Sequence, residues 1–330
     1  MTLSDKTEKR RKQTNREARR IQQRQGPDAE AAWQRRRTFA IWGSLGALVL
    51  ATFVVVVFLS AGSGGSDSTN RPYVGGDLHA MAVDPADSGR VMVGGHGGGA
   101  VSDDGGKTWE QIPDLDGADP MGWVVDPSDP EKAYIAGHPG FFRSEDGGES
   151  WSLDNSGLPA TDVHGLGMDP QNPDTLYAYI AGAGLYRSPD AAESWEQVND
   201  EVSVMGPILV DPQDPGNLYL ATMEGGFQKS PDSGKNWEQV GTIPGGMTTW
   251  ISQDRENPDT FYAAGGGRAH KSTDGGKTWR MASEGLPVGV SVVTVSPDDP
   301  RIVYASALDG EEALVYRSED SGESWVAQND

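Results

Sequence analysis

The chain has 330 residues, a net charge of −22 and no cysteine, which excludes disulfide bonds and thiolate metal sites. Residues 1–37 carry twelve Lys and Arg against five Asp and Glu, whereas residues 38–330 carry fifteen against forty-four. An acidic body of this kind repels nucleic acid, so we exclude a nucleic-acid partner.

The first 76 residues of the sequence predict a membrane anchor with flanking segments. Residues 1–37 are polar and basic, which is typical of a disordered cytoplasmic tail. Residues 38–61 contain no charge, and at about 1.5 Å per residue a helix of this length crosses a hydrocarbon core of about 30 Å. The arginines at 35–37 place the N-terminus in the cytoplasm and everything after the helix outside the cell membrane, in a single-pass topology. Residues 62–76, rich in Gly and Ser, predict a flexible linker.

A cleaved export signal is the alternative to the anchor. The sequence RRTF at 36–39 fits the core of a twin-arginine signal, and Ser60-Ala61 precedes a suitable cleavage point for that or a general export signal. The long apolar run with its VVVV centre favours the uncleaved helix.

Residues 77–330 repeat one pattern six times. The stretch SDDGGKTW at 102–109 recurs as SEDGGESW, SPDAAESW, SPDSGKNW, STDGGKTW and SEDSGESW, at spacings of 42 to 46 residues. The third position holds an aspartate and the last a tryptophan, namely Asp104, Asp146, Asp190, Asp232, Asp274 and Asp320, with Trp109, Trp151, Trp195, Trp237, Trp279 and Trp325.

Each repeat contains four short strand-like runs. In the third repeat these are VHGLGMDP, TLYAYIA, GLYRS and SWEQV, separated by Pro, Gly, Asp and Asn. Four strands in roughly 42 residues, repeated around an axis, predict an all-β protein with a six-bladed β-propeller. A solenoid is the alternative, but a closed ring hides its sheet edges. The weakest candidate for a first strand is WISQD at 250–254.

The repeated string resembles the Asp-box, or BNR repeat, of sialidases, sortilin-type receptor domains and photosystem II assembly-factor-like propellers. The resemblance covers all six repeats and implies that each box is the turn between the third and fourth strands, away from the ligand face. An Asp in a tight turn accepts backbone hydrogen bonds and Gly tolerates positive φ, so the Asp and Trp of each box are predicted to be structural. Ala192 replaces a Gly in the third box, which predicts a looser turn there.

The resemblance requires that glycoside hydrolysis be considered. A sialidase needs three arginines that converge on a carboxylate, but most arginines here occupy repeat positions, including Arg255 in a connection on the Asp-box side. Only Arg71 and Arg268 remain, so we exclude a sialidase. Another glycosyl hydrolase needs two carboxylates about 5 to 10 Å apart and remains an alternative. Its candidates are Asp77, Asp162, Glu224 and Glu312.

The repeats differ at two positions that propeller geometry places on the face opposite the Asp-boxes. One position begins the innermost strand, and the other lies in the hairpin between the second and third strands. Together they give the candidate ligand face, which consists of His79, His96, Met121, His138, His164, Glu224 and Glu312.

Four of the five histidines in the chain fall on this face. Imidazole with thioether suits copper, and imidazole with carboxylate suits zinc. The candidate metal ligands are His79, His96, His138, His164 and Met121, although the same side chains can also fill the rim of the channel without a ligand. The favoured function is a membrane-anchored extracytoplasmic scaffold that binds a protein, glycan or metal. The alternatives are a carbohydrate-acting hydrolase and an envelope protein that binds copper or zinc.

Overall fold

The computed structural model describes residues 70–329. These residues form twenty-four strands, arranged as six antiparallel sheets of four, and a single turn of 3-10 helix at Pro113–Leu115. The predicted tail at 1–37, the predicted anchor at 38–61 and most of the predicted linker at 62–76 lie outside this part of the chain. Between residues 70 and 329 no helix has the length and apolarity needed to cross a membrane.

Each sheet is one blade, built from one contiguous repeat whose strands pair in chain order. Blade one contains β1 (Ala80–Val83), β2 (Val91–Gly95), β3 (Gly98–Ser102) and β4 (Glu110–Gln111), and blade two contains β5 (Asp119–Val125), β6 (Ala133–His138), β7 (Phe141–Ser144) and β8 (Ser152–Leu153). Blade three contains β9 (Val163–Met168), β10 (Leu176–Ile180), β11 (Gly184–Ser188) and β12 (Glu196–Asn199), and blade four contains β13 (Leu209–Val210), β14 (Leu218–Ala221), β15 (Gly226–Ser230) and β16 (Glu238–Thr242). Blade five contains β17 (Thr248–Gln253), β18 (Phe261–Gly265), β19 (Arg268–Ser272) and β20 (Arg280–Met281), and blade six contains β21 (Val290–Val295), β22 (Val303–Asp309), β23 (Glu312–Ser318) and β24 (Val326–Ala327).

The ring closes between blade six and blade one, and the predicted six-bladed propeller is confirmed. Tyr73, just before blade one, forms an antiparallel bridge with Glu312 of β23. The hydroxyl of Tyr304 in β22 donates to the carbonyl of Ser88, 2.8 Å away. Residues far apart along the chain are thereby brought together, and the inner strands of all six blades surround one axis.

The hydrophobic core lies between neighbouring blades. Between blades two and three, Tyr134 and Phe141 of blade two pack with Val163 and Leu166 of blade three. Between blades four and five, the fully buried Phe227 packs against the rings of its neighbours. Burial of apolar area stabilises by about 25 cal/mol per Å², so these interfaces hold the blades in fixed register.

The strand predicted to be weakest is one of the longer inner strands. Residues 250–253 belong to β17, whereas the more apolar β13 has only two residues. The Trp250 indole donates to Thr294 Oγ1 at 2.9 Å, and Ser252 Oγ donates to the Val293 carbonyl at 2.9 Å. Trp250 and Ser252, which make residues 250–254 a poor match to the first strands of the other repeats, therefore form hydrogen bonds to the inner strand of blade six.

Each Asp-box aspartate accepts hydrogen bonds inside its own turn. In blade five, Ser272 Oγ donates to Asp274 Oδ1 at 2.9 Å, and the Gly276 amide donates back to Ser272 Oγ at 3.0 Å. The Thr278 amide donates to Oδ1 at 2.9 Å and its hydroxyl to Oδ2 at 2.6 Å. The other five boxes repeat this arrangement. Both carboxylate oxygens are thus occupied within the turn.

The looser turn expected at Ala192 is not found. Its amide still donates to Ser188 Oγ at 2.8 Å, and Asp190 keeps both of its bonds to Ser194. The backbone reaches a φ of 69° without glycine. The methyl group of Ala192 is buried between blades two and three, and this packing offsets the backbone strain.

Acid is expected to destabilise the ring through these turns. Hydrogen bonds from Thr278 hold the pKa of Asp274 at about 2, below its ordinary value of 3.8, and those from Ser324 do the same for Asp320. A depressed folded-state pKa gives stability that is complete above the ordinary value and is lost as the pH falls through about 2. Urea unfolding at a series of pH values checks this. Asp274→Asn should destabilise the protein at neutral pH, and the difference from the wild type should shrink as the pH approaches 2. A constant difference would contradict the assignment.

Candidate functional site

The starts of the inner strands surround a cavity of about 290 Å³ at one end of the ring axis. Five of the six positions predicted to share this face line it, and these are His79, Met121, Gly206, Thr249 and Ser291. The second-to-third-strand hairpins lie at the same end of the blades, and the Asp-boxes lie at the opposite end of the third strands.

Methionines form much of the cavity rim. Met121 is buried, and Met205, Met223 and Met247 line the same space. Met223 and Met247 are 46% and 59% exposed, although large apolar side chains usually avoid water. Thioethers are soft and adaptable, so this rim suits an apolar group or a soft cation. Met223 was not predicted, because the hairpin comparison singled out the next residue, Glu224.

The first histidine group lies within blade one and the start of blade two. His79 Nδ1 is 2.9 Å from Asp119 Oδ1, and His79 Nε2 is 3.1 Å from Asp77 Oδ2. His96 Nε2 is 3.1 Å from the other oxygen of Asp119, and the two imidazole rings lie 4.7 Å apart, edge to face. Asp119 thus contacts one nitrogen of each ring. Asp77, His79 and His96 each offer one ligand atom, and these three atoms lie within 4.8 Å of one another.

Electrostatics at this group favour a positive charge. Burial lowers the pKa of the His79 imidazole, but the hydrogen bond with Asp119 and the charges of Asp119 and Asp77 more than offset it. The pKa of His79 therefore lies above its ordinary value of 6.5. A carboxylate that orients an imidazole from behind is the arrangement found around histidines that bind metals.

The second histidine group joins blades two and three through one carboxylate oxygen. Asp162 Oδ1 lies 2.8 Å from His138 Nε2 and 2.5 Å from His164 Nε2. This oxygen is buried, yet it makes no hydrogen bond of acceptable geometry within residues 70–329. Two imidazole nitrogens and one carboxylate oxygen thus lie close together, although the oxygen has no well-oriented hydrogen bond to either nitrogen.

Glycines allow the aspartates to approach the histidines. A Cβ on Gly95 would lie 1.9 Å from the Asp77 carbonyl, and one on Gly137 would lie 1.9 Å from the Asp119 carbonyl. Each of these glycines directly precedes a histidine of the hairpins, His96 or His138. The glycine before each of these histidines therefore lets the segment that carries the aspartate pack directly against the hairpin that carries the histidine.

The structure divides the predicted histidine cluster. The sequence suggested one group containing His79, His96, His138 and His164 with Met121, whereas the histidines form two separate pairs. Met121 belongs to the cavity and to neither group.

The two glutamates predicted for this face also lie outside both groups. Glu224 is exposed in its hairpin, and Glu312 begins β23 where it pairs with Tyr73.

Asp119 is the functional candidate that the sequence comparison missed. A repeated signal was present, because an aspartate stands two residues before the His or Met of blades one to three. These aspartates are Asp77, Asp119 and Asp162, and the equivalent positions in blades four to six hold Val204, Met247 and Gly289. The acidic positions therefore coincide with the blades that carry the histidines.

Comparisons with known proteins agree with this architecture. Residues 99–205 match the family model described as sortilin, neurotensin receptor 3. A search of proteins with curated descriptions finds no match.

Among solved structures, the GH74 xyloglucanase of Xanthomonas campestris is similar over 77% of this chain, at 21% identity and a TM-score of 0.55. The GH74 enzyme of Niastella koreensis is similar over 77%, at 18% identity and a TM-score of 0.57. This chain spans 45% of each of those enzymes. A structure of a nidogen–laminin complex aligns over 76% of this chain and 90% of its own, at 16% identity and a TM-score of 0.53.

Proposed function

We propose that this chain, a member of the BNR/Asp-box β-propeller superfamily, is an extracytoplasmic binding module. Its ligand face would hold divalent transition metal ions. The observation that carries the proposal is Asp162 Oδ1, which is buried between two imidazole nitrogens and has no properly oriented hydrogen bond. An oxygen acceptor that lies against two imidazoles without an oriented hydrogen bond is unfavourable, and a cation bound by all three groups would compensate for it.

The ligand chemistry favours zinc or copper. Two imidazoles and one carboxylate in each group match the donors that borderline ions prefer, whereas calcium and magnesium prefer oxygen donors alone. Three protein ligands leave one coordination position open. His96, His138 and Asp162 are about half exposed, so the open position would face solvent and accept a donor from a bound protein or glycan.

A membrane anchor at residues 38–61 would hold this face outside the cell. The support is the uncharged run of residues with arginines on its N-terminal side. The mass of the protein in isolated membranes separates the anchor from a cleaved export signal, because cleavage after residue 61 would remove the basic tail.

Carbohydrate hydrolysis is the second candidate, and its support is the fold shared with GH74 enzymes. Folds of this kind host many activities, so this support concerns architecture alone. Asp77 and Asp162, the acidic residues first considered for it, both contact histidines. A screen on aryl glycosides tests this candidate, and turnover that survives chelation and loss of the histidines would favour it over metal binding.

The metal proposal is tested by titrating chelator-treated full-length protein with zinc and, separately, with copper, using isothermal calorimetry. We expect two ions per chain, one for each histidine group, and no comparable binding of calcium. Zinc binding no stronger than calcium binding would overturn the proposal.

A further inference from the structure

A second cavity lies on the ring axis at the other ends of the inner strands, on the Asp-box side. Its volume is about 160 Å³, and residues from the inner strands of all six blades line it. The walls are mostly apolar, with Met81, Leu166, Ile208 and Val295 among them. Trp123 also lines it, and the indole N–H of this residue is buried without a hydrogen-bond partner among the described residues.

One residue breaks the six-fold pattern at this end of the channel. The residue after each inner-strand Asp, or after Ser296 in blade six, is proline in five blades, namely Pro85, Pro127, Pro170, Pro212 and Pro297. In blade five this position holds Arg255, which lines the cavity together with four of those prolines. Sequence comparison had assigned Arg255 only to a connection between strands.

Arg255 has no counter-charge in the part of the chain that the structure describes. No carboxylate of residues 70–329 forms an ion pair with it, and burial alone lowers the pKa of its guanidinium. The adjacent Asp254 is already occupied, because it accepts hydrogen bonds from the amides of Glu256 and Asn257 and from the Asn257 side chain. Arg255 is only partly exposed, and a guanidinium has five donors, so leaving those that face the apolar walls unpaired is unfavourable.

We propose that Arg255 binds the carboxylate of a small carboxylic acid whose apolar body occupies the channel. A carboxylate accepts two parallel hydrogen bonds from a guanidinium, and the low dielectric of the channel strengthens that pair. The apolar walls fit a hydrocarbon or aromatic body of a few carbons. Small-molecule pockets usually combine apolar walls of this kind with a few polar groups that orient the ligand. This site is independent of the histidine groups, which lie at the opposite ends of the inner strands.

The opposing effect is the net negative charge of the chain, which repels anions at a distance. Binding must therefore depend on the direct contact, and we expect an affinity of about 1 mM, typical of a fragment with a single ion pair.

Benzoate is a suitable probe, and its titration is followed by chemical-shift changes of the tryptophan indole N–H groups in full-length protein. We expect saturable binding to the wild type and at least a tenfold loss in Arg255→Pro. That variant restores the residue found in the other five blades, and among residues 70–329 the Arg255 amide has no acceptor whose hydrogen bond a proline would remove. Its melting temperature should equal or exceed that of the wild type.

Arg301→Gln is the matched control, because Arg301 is 75% exposed and already pairs with Asp299. It should bind benzoate as the wild type does, and the neutral methyl ester of benzoate should bind neither protein. Equal binding of benzoate to the wild type and to Arg255→Pro would overturn the proposal. Absence of saturable binding to the wild type would also overturn it, as would a melting temperature of Arg255→Pro that falls while benzoate affinity is retained.

Discussion

A variant with His79→Ala and His96→Ala is expected to bind one zinc ion per chain instead of two. Alanine removes two of the three ligands of the first group and leaves the second group, in blades two and three, intact. The reciprocal variant with His138→Ala and His164→Ala should also retain one ion, and the variant with all four substitutions should retain none. Each removed site should lose at least 100-fold in affinity, since loss of an outer-shell partner alone costs about 10- to 100-fold. Calorimetric stoichiometry measures these outcomes.

Two further variants sharpen this test. Asp119→Asn should weaken the first site by about 10- to 100-fold and leave the second unchanged, because Asp119 contacts one nitrogen of each imidazole in the first group only. Glu224→Ala is the matched control, since Glu224 occupies the hairpin position of His96 and His138 in blade four but lies outside both groups. A stoichiometry of two in the variant without the four histidines would contradict the assignment.

Gly276→Ala is expected to destabilise the propeller more than a change at a turn usually does. The added Cβ would lie 2.1 Å from Cε1 of Phe227, whose ring is fully buried between blades four and five. Gly276 also has a φ of 83°, where an alanine is strained. Strain and overpacking together should reduce the free energy of unfolding by about 3 kcal/mol. Urea unfolding measures this loss.

Gly246→Ala separates the two causes. Gly246 has a φ of 84°, almost the same as Gly276, but no atom of the described part of the chain lies within 4 Å of its added Cβ. It should lose only the backbone contribution, about 1 kcal/mol. Equal losses in the two variants would show that the contact with Phe227 contributes nothing.

Local chemistry explains how much of the fold the sequence predicted. The six boxes predicted the number of blades because each aspartate is satisfied by bonds within its own turn and does not depend on the rest of the ring. Contacts between blades were not predictable in this way. The sequence accounts for Gly276 through its positive φ, but not through the approach of Phe227 from the preceding blade. The same holds for β17, whose Trp250 and Ser252 bond to blade six.

The sequence predicted which face of the propeller carries the candidate site, but not how the histidines on that face divide into two groups. The phase of the repeats places His79 and Met121 around one cavity, as expected. The division into two histidine pairs depends on the directions of the side chains and on Asp119. This residue begins β5 of blade two and contacts the two histidines of blade one. Arg255 was overlooked because its position was treated as a connection, whereas its side chain lines the channel.

The most direct test of metal binding on the ligand face is anomalous diffraction at the zinc absorption edge from crystals of the zinc-loaded protein. We expect two anomalous peaks, one among Asp77, His79 and His96 and one among His138, Asp162 and His164, each about 2.0 to 2.2 Å from its ligand atoms. Zinc peaks only at other surface carboxylates, with neither histidine group occupied, would contradict the account.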